Sequence, residues 1–180
     1  MNGFLNPQAV VNLLPLKEGM IVADFGCGSG FFSLAIAQIV KPSGKVIALD
    51  IWKPSLETLA FRAKASGLAN VIETRWANLE APQGSTLPNN YCDLVLMSNL
   101  LFQVENKTAV ILEAKRVLKN TGKLVVIDWQ SDKLPSPQKL FPISKPELLS
   151  LLEDNGFELE RELAVGAAHY GFLLKLPASY

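Results

Sequence analysis

The sequence predicts an α/β protein built on a doubly wound, mostly parallel sheet with helices on both faces. Three observations predict it. Short apolar runs alternate with helical stretches along the 180 residues, the pattern of successive strand–helix–strand units. Runs such as MIVADF and DLVLMS are apolar almost throughout, as strands covered on both faces must be. Gly26, Gly28 and Gly30 stand directly behind the first run, where such sheets turn from strand to helix. Right-handed crossovers between parallel neighbours then wind the sheet.

The elements follow in order. Residues 7–14 predict a short helix, with Asn6 as N-cap and Pro7 in the first turn; 1–19 is then a helix and linker ahead of strand one at 20–25. A helix at 30–40 is stopped by Lys41, Pro42 and Gly44, and a second strand follows at 45–51. A helix at 54–66 ends at Gly67, and a third strand occupies 70–76. Residues 80–90, EAPQGSTLPNN, are rich in turn formers. Strand four is 91–98, the next helix 106–119, and Asn120-Thr121-Gly122 turns into strand five at 123–129. A second loop, QSDKLPSPQKLFP, leads to a helix at 144–155 between Ser144 and Gly156. Strands at 157–164 and 169–176 close the chain as an antiparallel pair.

Length and composition fit a single domain over 1–180. The chain is 49% hydrophobic and 19% charged, which supports a core and argues against disorder. Lys plus Arg equals Asp plus Glu, 17 each, so no basic field exists to hold a polyanion, and no nucleic-acid partner is expected. No stretch reaches the roughly 18 apolar residues of a membrane span, and the first residues lack the basic and apolar regions of a signal peptide. A cytoplasmic location is the expectation. Cys27 and Cys92 make neither a disulfide framework nor a zinc site, and no metal is expected.

The glycine turn has two readings. A dinucleotide fingerprint requires G-x-G-x-x-G, but its third glycine falls on Phe31. Asp24 precedes the turn, and neither Lys nor Arg occurs between 21 and 40. A ligand with a cationic amino group therefore suits the turn better than a pyrophosphate does. The plainer alternative is a tight turn without a ligand. Asp50 ends strand two about 20 residues on, where an acid accepts hydrogen bonds from ribose hydroxyls or serves as a strand end or cap. Asn78 follows strand three, where its amide either meets an adenine edge or starts the loop.

The stretches VADFGCGSGFF, ALDIW, WANLE, DLVLMSNLLFQV and RVLKNTGKLVVIDW, in that order and spacing, resemble the class I S-adenosylmethionine-dependent methyltransferases. The likeness is strongest to the small branch similar to ubiquinone/menaquinone-biosynthesis methyltransferases. The resemblance implies a seven-stranded sheet of order 3-2-1-4-5-7-6 with the last strand antiparallel, and S-adenosylmethionine as cofactor. It implies that Asp24, Gly26, Cys27, Gly28 and Gly30 face the methionine part. Asp50 would hold the ribose, Ile51 would pack on adenine, and Ala77 and Asn78 would line the base. Ser98 and Asn99 would offer backbone groups to the amine, with Leu101 and Phe102 on the far side. Many relatives have aspartate where Asn78 stands; the amide keeps an acceptor for the adenine amino group and loses the charge.

Methyl transfer from a sulfonium needs mainly alignment and exclusion of water. If the acceptor must lose a proton, the candidate bases are Asp128, ending strand five, and His169, the single histidine. Each has a structural alternative, as a cap and as a packed ring. Alignment without a base is the expectation. Trp76, Phe102, Trp129 and Tyr170 are candidate walls. The loops at 79–90 and 130–143 are short for a lid, so the acceptor is small, or lies on an open face, or another subunit or protein completes the site; a small-molecule or lipid-like acceptor is the expectation. A binding module that keeps the cofactor pocket without activity is the rival reading. A nicotinamide oxidoreductase is disfavoured by the missing glycine, and metalloid methylation by the lack of a cysteine cluster.

Overall fold

The central apolar runs form neighbouring strands of one sheet because they hide both faces beneath helices. In a computed structural model, which describes residues 5–133 and 140–178, the strands are β1 (Ile21–Phe25), β2 (Lys45–Asp50), β3 (Ile72–Trp76), β4 (Cys92–Ser98), β5 (Leu118–Trp129), β6 (Glu158–Glu162) and β7 (His169–Lys175). Their order is β3-β2-β1-β4-β5-β7-β6. Neighbours from β3 to β5 are parallel, and β7 runs antiparallel to both β5 and β6.

Five α-helices connect them: α1 (Pro7–Val11), α2 (Phe31–Val40), α3 (Lys53–Ala65), α4 (Lys107–Val117) and α5 (Lys145–Asp154). Three begin at side-chain caps. Asn6 Oδ1 accepts from the Ala9 amide at 3.1 Å and Asn106 Oδ1 from the Ala109 amide at 3.0 Å, while Ser144 and Glu147 form a capping box. The boundaries differ from expectation in four places. α1 ends at Val11, three residues early, and its last turn tightens through Leu13 N to Val10 O and Leu14 N to Val11 O. α4 ends at Val117 because the start of β4 takes its last carbonyls: the Asn90 amide donates to Arg116 O and the Tyr91 amide to Val117 O. Leu118 therefore enters the sheet directly opposite Cys92, and the register jumps to Leu94 opposite Lys123. The expected turn at 120–122 is a bulge inside β5. The edge strand β6 is shorter than 157–164. Residues Ser131–Lys133 form a 3-10 turn, whereas 134–139 of the same predicted loop lie outside the described residues.

Strand side chains alternate between faces, and here the alternation decides which groups can meet. Val22, Val46, Leu94, Val125, Ile127 and Leu173 pack with α1, α2 and α3. Ala23, Phe25, Met97, Val126, Phe172 and Leu174 pack with α4 and α5. Asp24, Ser98 and Trp129 continue the first set by parity. Asp128 and Tyr170 continue the second, and His169, opposite Trp129, belongs to the first.

The turn from β1 to α2 is held to β2 by the amides of Gly26 and Cys27, which both donate to Leu49 O at 2.8 and 3.0 Å. Gly30 ends it at φ +83°, where an added Cβ would lie 2.1 Å from Leu59 Cδ1 and 2.8 Å from its Cγ. Gly30 therefore seats α3 against the turn, and it does not line the cleft described below. Leu59 is fully buried and has no room to retreat. Gly30→Ala is expected to lose about 2–4 kcal/mol of stability, the sum of a left-handed backbone and an overpacked contact. Urea denaturation measures it, and an unchanged midpoint would contradict this packing.

Candidate functional site

The carboxyl ends of β1, β2 and β4 open into a cleft, as expected where the strand order reverses beside β1. It consists of two cavities that share Gly26, Gly28 and Gln103 in their walls. One, of about 430 Å³, is walled by Asp50, Ile51, Ala77 and Asn78. The other, of about 530 Å³, is walled by Asp24, Cys27, Ser98, Asn99, Trp129 and His169. The predicted cofactor residues thus come together along one groove, apart from Gly30.

Gly28 marks the middle. Its φ is +51°, and an added Cβ would meet no atom of the described residues within 4 Å. The glycine is required by backbone conformation and by nothing that packs on it, which is what a surface for close ligand approach looks like. Its amide donates to Asp50 Oδ2 at 2.8 Å, and the Trp52 amide donates to Asp50 Oδ1 at 2.8 Å. A carboxylate has about four acceptor positions, so each oxygen keeps one for a hydroxyl pair. Ile51 lines this cavity with an exposed side chain, and its carbonyl accepts from Trp76 Nε1 at 2.9 Å.

Asp24 stands at the other end and is 2% exposed. Ser33 Oγ, from α2, donates to it at 2.5 Å. Burial raises its pKa to about 6, with the Asp50 charge adding to the rise and the Ser33 hydrogen bond opposing it. Neither Lys nor Arg is among the described residues that line either cavity, so the ionised form lacks a cation. Burial drives the Cys27 thiol far above its usual range, which makes it a packing group rather than a nucleophile.

The segment after β4 closes the groove. Asn99 is held at φ +54°, with its amide on Ile127 O at 2.8 Å and its carbonyl accepting Gln103 Nε2 at 2.6 Å. Leu100, Gln103 and Val104 face the cavity, whereas Leu101 and Phe102, expected there, turn into the core. Asp128 causes that turn. It is 1% exposed, and its carboxylate accepts the amides of Phe102 at 3.1 Å and Trp129 at 2.8 Å. It lies on the α4 face, outside both cavity walls, so it does not share a pocket with His169. Burial raises its pKa to about 6 against the pull of those amides. Tyr170 is on the same face, with its hydroxyl on Ile143 O.

His169 does line the cleft. Its ring stacks on Trp129 with centroids 4.0 Å apart, and burial lowers its pKa, so it is neutral near pH 7. His169 Nε2 and Asn99 Oδ1 are buried without a hydrogen-bond partner among the described residues. Gln103, Glu80, Phe31 and Phe32 are among the cleft residues missed in the sequence. Arg62 was missed too. It reaches the glycine turn from α3, donates to Ser29 O at 3.1 Å and lies 4.6 Å over the Phe31 ring.

The Asp24 shift has a sign that can be tested. Its folded pKa, about 6, exceeds the ordinary value of 3.8, so its stabilising effect is complete below pH 3.8 and is lost as pH rises through 6. Asp24→Asn, which keeps an acceptor for Ser33, should therefore be more stable than the wild type above pH 6. The gain is on the order of 3 kcal/mol at 1.36 kcal/mol per pH unit, and it disappears near pH 4. Chemical denaturation across pH 4–8 reads it. A variant that is destabilised at pH 7.5 would show that the carboxylate is compensated.

Comparison with known proteins agrees with this geometry. A family model described as a methyltransferase domain matches residues 16–164. The ubiquinone/menaquinone biosynthesis C-methyltransferase UbiE of Hydrogenovibrio crunogenus is 30% identical over 73% of this chain and 50% of its own length. The demethylmenaquinone methyltransferase of Listeria welshimeri is 29% identical over 74% and 55%. The chain spans about half the length of the curated relatives it matches. A SAM-dependent methyltransferase from Aquifex aeolicus superimposes with a TM-score of 0.82 at 29% identity, covering 94% of this chain and 89% of that one. The [4+2]-cyclase SpnF reaches the same score at 16% identity over 96% and 81%, which shows shared fold alone. With the family model spanning most of the chain, and the glycine turn, Asp50 and the sheet order all in place, this protein belongs to the methyltransferase-domain family.

Proposed function

We propose that this domain transfers a methyl group from S-adenosylmethionine to a small, uncharged, ring-bearing acceptor of the quinone kind. One observation carries the reading. The two cavities join over Gly28, with a ribose-type carboxylate, Asp50, at one end and an uncompensated acid, Asp24, at the other. That spacing of charge suits a molecule with a hydroxylated sugar and a cationic amino group. When bound, the cofactor supplies a methyl group already activated by its sulfonium.

The chain then binds, orients and keeps out water. Asp50 holds the hydroxyl pair, Ile51 and Ala77 flank the base, and Asp24 with the Ser98–Asn99 backbone receives the amino group. The acceptor lies against Phe31, Phe32, Trp129 and His169. These walls are aromatic and include no cation among the described residues, so they favour a neutral ring over a carboxylate or phosphate. The relatives named for quinone biosynthesis are consistent with that choice. Neutral His169 can accept a hydrogen bond from an acceptor hydroxyl.

Two outcomes check the assignment. Asp50→Asn should bind S-adenosylhomocysteine about 10–100-fold more weakly by calorimetry, because charge-assisted hydrogen bonds become neutral ones. Equal affinity in a folded variant would remove Asp50 from the site. On the acceptor side, reduced demethylmenaquinone, whose hydroquinone ring supplies the electron pair and releases its ring proton to solvent, should be methylated by labelled S-adenosylmethionine in single-turnover experiments, whereas the oxidised, electrophilic quinone should not. His169→Gln should slow transfer less than about tenfold, since alignment is the main contribution. A loss nearer 10²–10⁴-fold with cofactor affinity intact would identify His169 as a general base. Absence of transfer to any ring acceptor would reject the acceptor class.

A further inference from the structure

The sheet has two edges, β3 and β6, and they are built differently. An open edge is a template for another strand unless charge, proline or a bulge blunts it. β6 is blunted. Its pairing with β7 is broken by a register shift between Leu159 and Arg161, and Glu158, Glu160 and Glu162 are each tied to a lysine of their own chain. A second β6 running antiparallel about Glu160 would set glutamate against glutamate at all three positions. β3, Ile72-Glu73-Thr74-Arg75-Trp76, has neither proline nor bulge and pairs with β2 in unbroken register.

The outer side of β3 is equipped to receive a strand. The Val46 amide bonds Val71 O and the Ala77 amide bonds Asp50 O, so the odd residues of this parallel ladder face β2 and the backbone groups of residues 72, 74 and 76 point outward. The Ile72 amide is taken by Leu68 O at 3.0 Å. Ile72 O and both backbone groups of Thr74 and Trp76 have no partner among the described residues. Glu73 and Arg75 share one face of the strand, 2.5 Å apart and partly exposed, outside the walls of both cavities.

The geometry points to β3 as a docking edge for a second copy of this chain, joined antiparallel across a two-fold axis through Thr74. Such an axis sets Thr74 against Thr74, Ile72 against Trp76 and Glu73 against Arg75. The register matches the free backbone groups: the two Thr74 residues exchange a pair of hydrogen bonds, and each Trp76 amide donates to Ile72 O of the second copy. The side chains match as well. Each Glu73 meets the other copy's Arg75, so two separate ion pairs become one set of alternating charges, and the half-exposed Trp76 comes opposite Ile72. A two-fold contact must be complementary to itself. β3 meets that condition about Thr74, and β6 fails it about Glu160. Moving the axis to Glu73 or to Arg75 opposes like charges directly, which fixes the register.

The test is sedimentation equilibrium of the full chain from micromolar to submillimolar concentration, where the wild type should form dimers. Glu73→Arg and Arg75→Glu each set like charges against one another, so each should weaken self-association about tenfold or more. Melting temperature and S-adenosylhomocysteine affinity should stay at wild-type values in both. An equimolar mixture of the two variants should dimerise again, because each arginine of one chain then faces a glutamate of the other. Hydrogen exchange of the wild type gives a second reading that needs no substitution. The Thr74 and Trp76 amides should gain protection as concentration rises, while those of Glu73 and Arg75, already bonded to β2, should not change. A wild type that stays monomeric throughout would overturn the inference. So would charge variants that dimerise as well as the wild type, a mixture that fails to restore the dimer, or a dimer whose Thr74 amide exchanges at the monomer's rate.

Discussion

The hydrogen bond from the Gly28 amide to the Asp50 carboxylate joins the end of β1 to the end of β2, and the site depends on it. The glycine turn has few side chains of its own with which to hold its shape. Its conformation is imposed by Leu49 O, which takes two of its amides, by Asp50, and by Leu59 packing under Gly30. Each contact comes from β2 or α3. The turn is therefore a tertiary object rather than a local one, and the carboxylate that defines one end of the cleft also shapes its middle. A ligand hydroxyl bound to Asp50 would meet an acceptor already oriented by two backbone amides, so little ordering cost remains at that group.

Buried charge divides the molecule into parts that hold and parts that bind. Glu113 is buried with Arg116, Ser85 and their hydrogen bonds; those partners hold its pKa below the ordinary value despite burial, and the cluster pins the 80–90 loop to α4. Asp128 is satisfied by backbone amides and shapes the Leu100–Val104 segment. Asp24 has one hydroxyl partner and no cation. Three buried acids thus carry three different degrees of compensation, and the least compensated is the one that opens on the cleft. This is the arrangement in which stability is given up for binding.

The sheet order, the two-sided core and the positions of Asp24, Gly28 and Asp50 were readable because they rest on periodicity and on short motifs whose geometry is local. The roles of Arg62, which braces the glycine turn, and of Gln103 and Glu80, which line the cleft, were hidden because each acts from another segment of the chain, and no local pattern marks it. The start of β5 was misread for a related reason. Asn120-Thr121-Gly122 has the composition of a turn, but the pairing of Leu118 with Cys92 makes it a bulge, and that pairing is long-range. Leu101 and Phe102 were misplaced because the hydrogen bond of Asp128 to the Phe102 amide rotates the segment by its own logic.

One error had a remedy in the sequence itself. Asp128 and His169 both stand at the cleft end of adjacent strands, which made them appear equivalent. In β5, however, Val125, Ile127 and Trp129 share one face while Val126 and Asp128 share the other, and β7 pairs His169 with Trp129. Once the antiparallel register is known, parity alone sends Asp128 to the α4 side and His169 to the cleft. The SpnF cyclase shows that this sheet supports other chemistry, so the reaction must be argued from what lines the cleft. Here the described wall of the second cavity has aromatic rings, an imidazole and the Asp24 carboxyl, and on the proposed reading such a wall mainly holds a ring in line with a reactive methyl group. A donor that arrives already activated asks for no more than that.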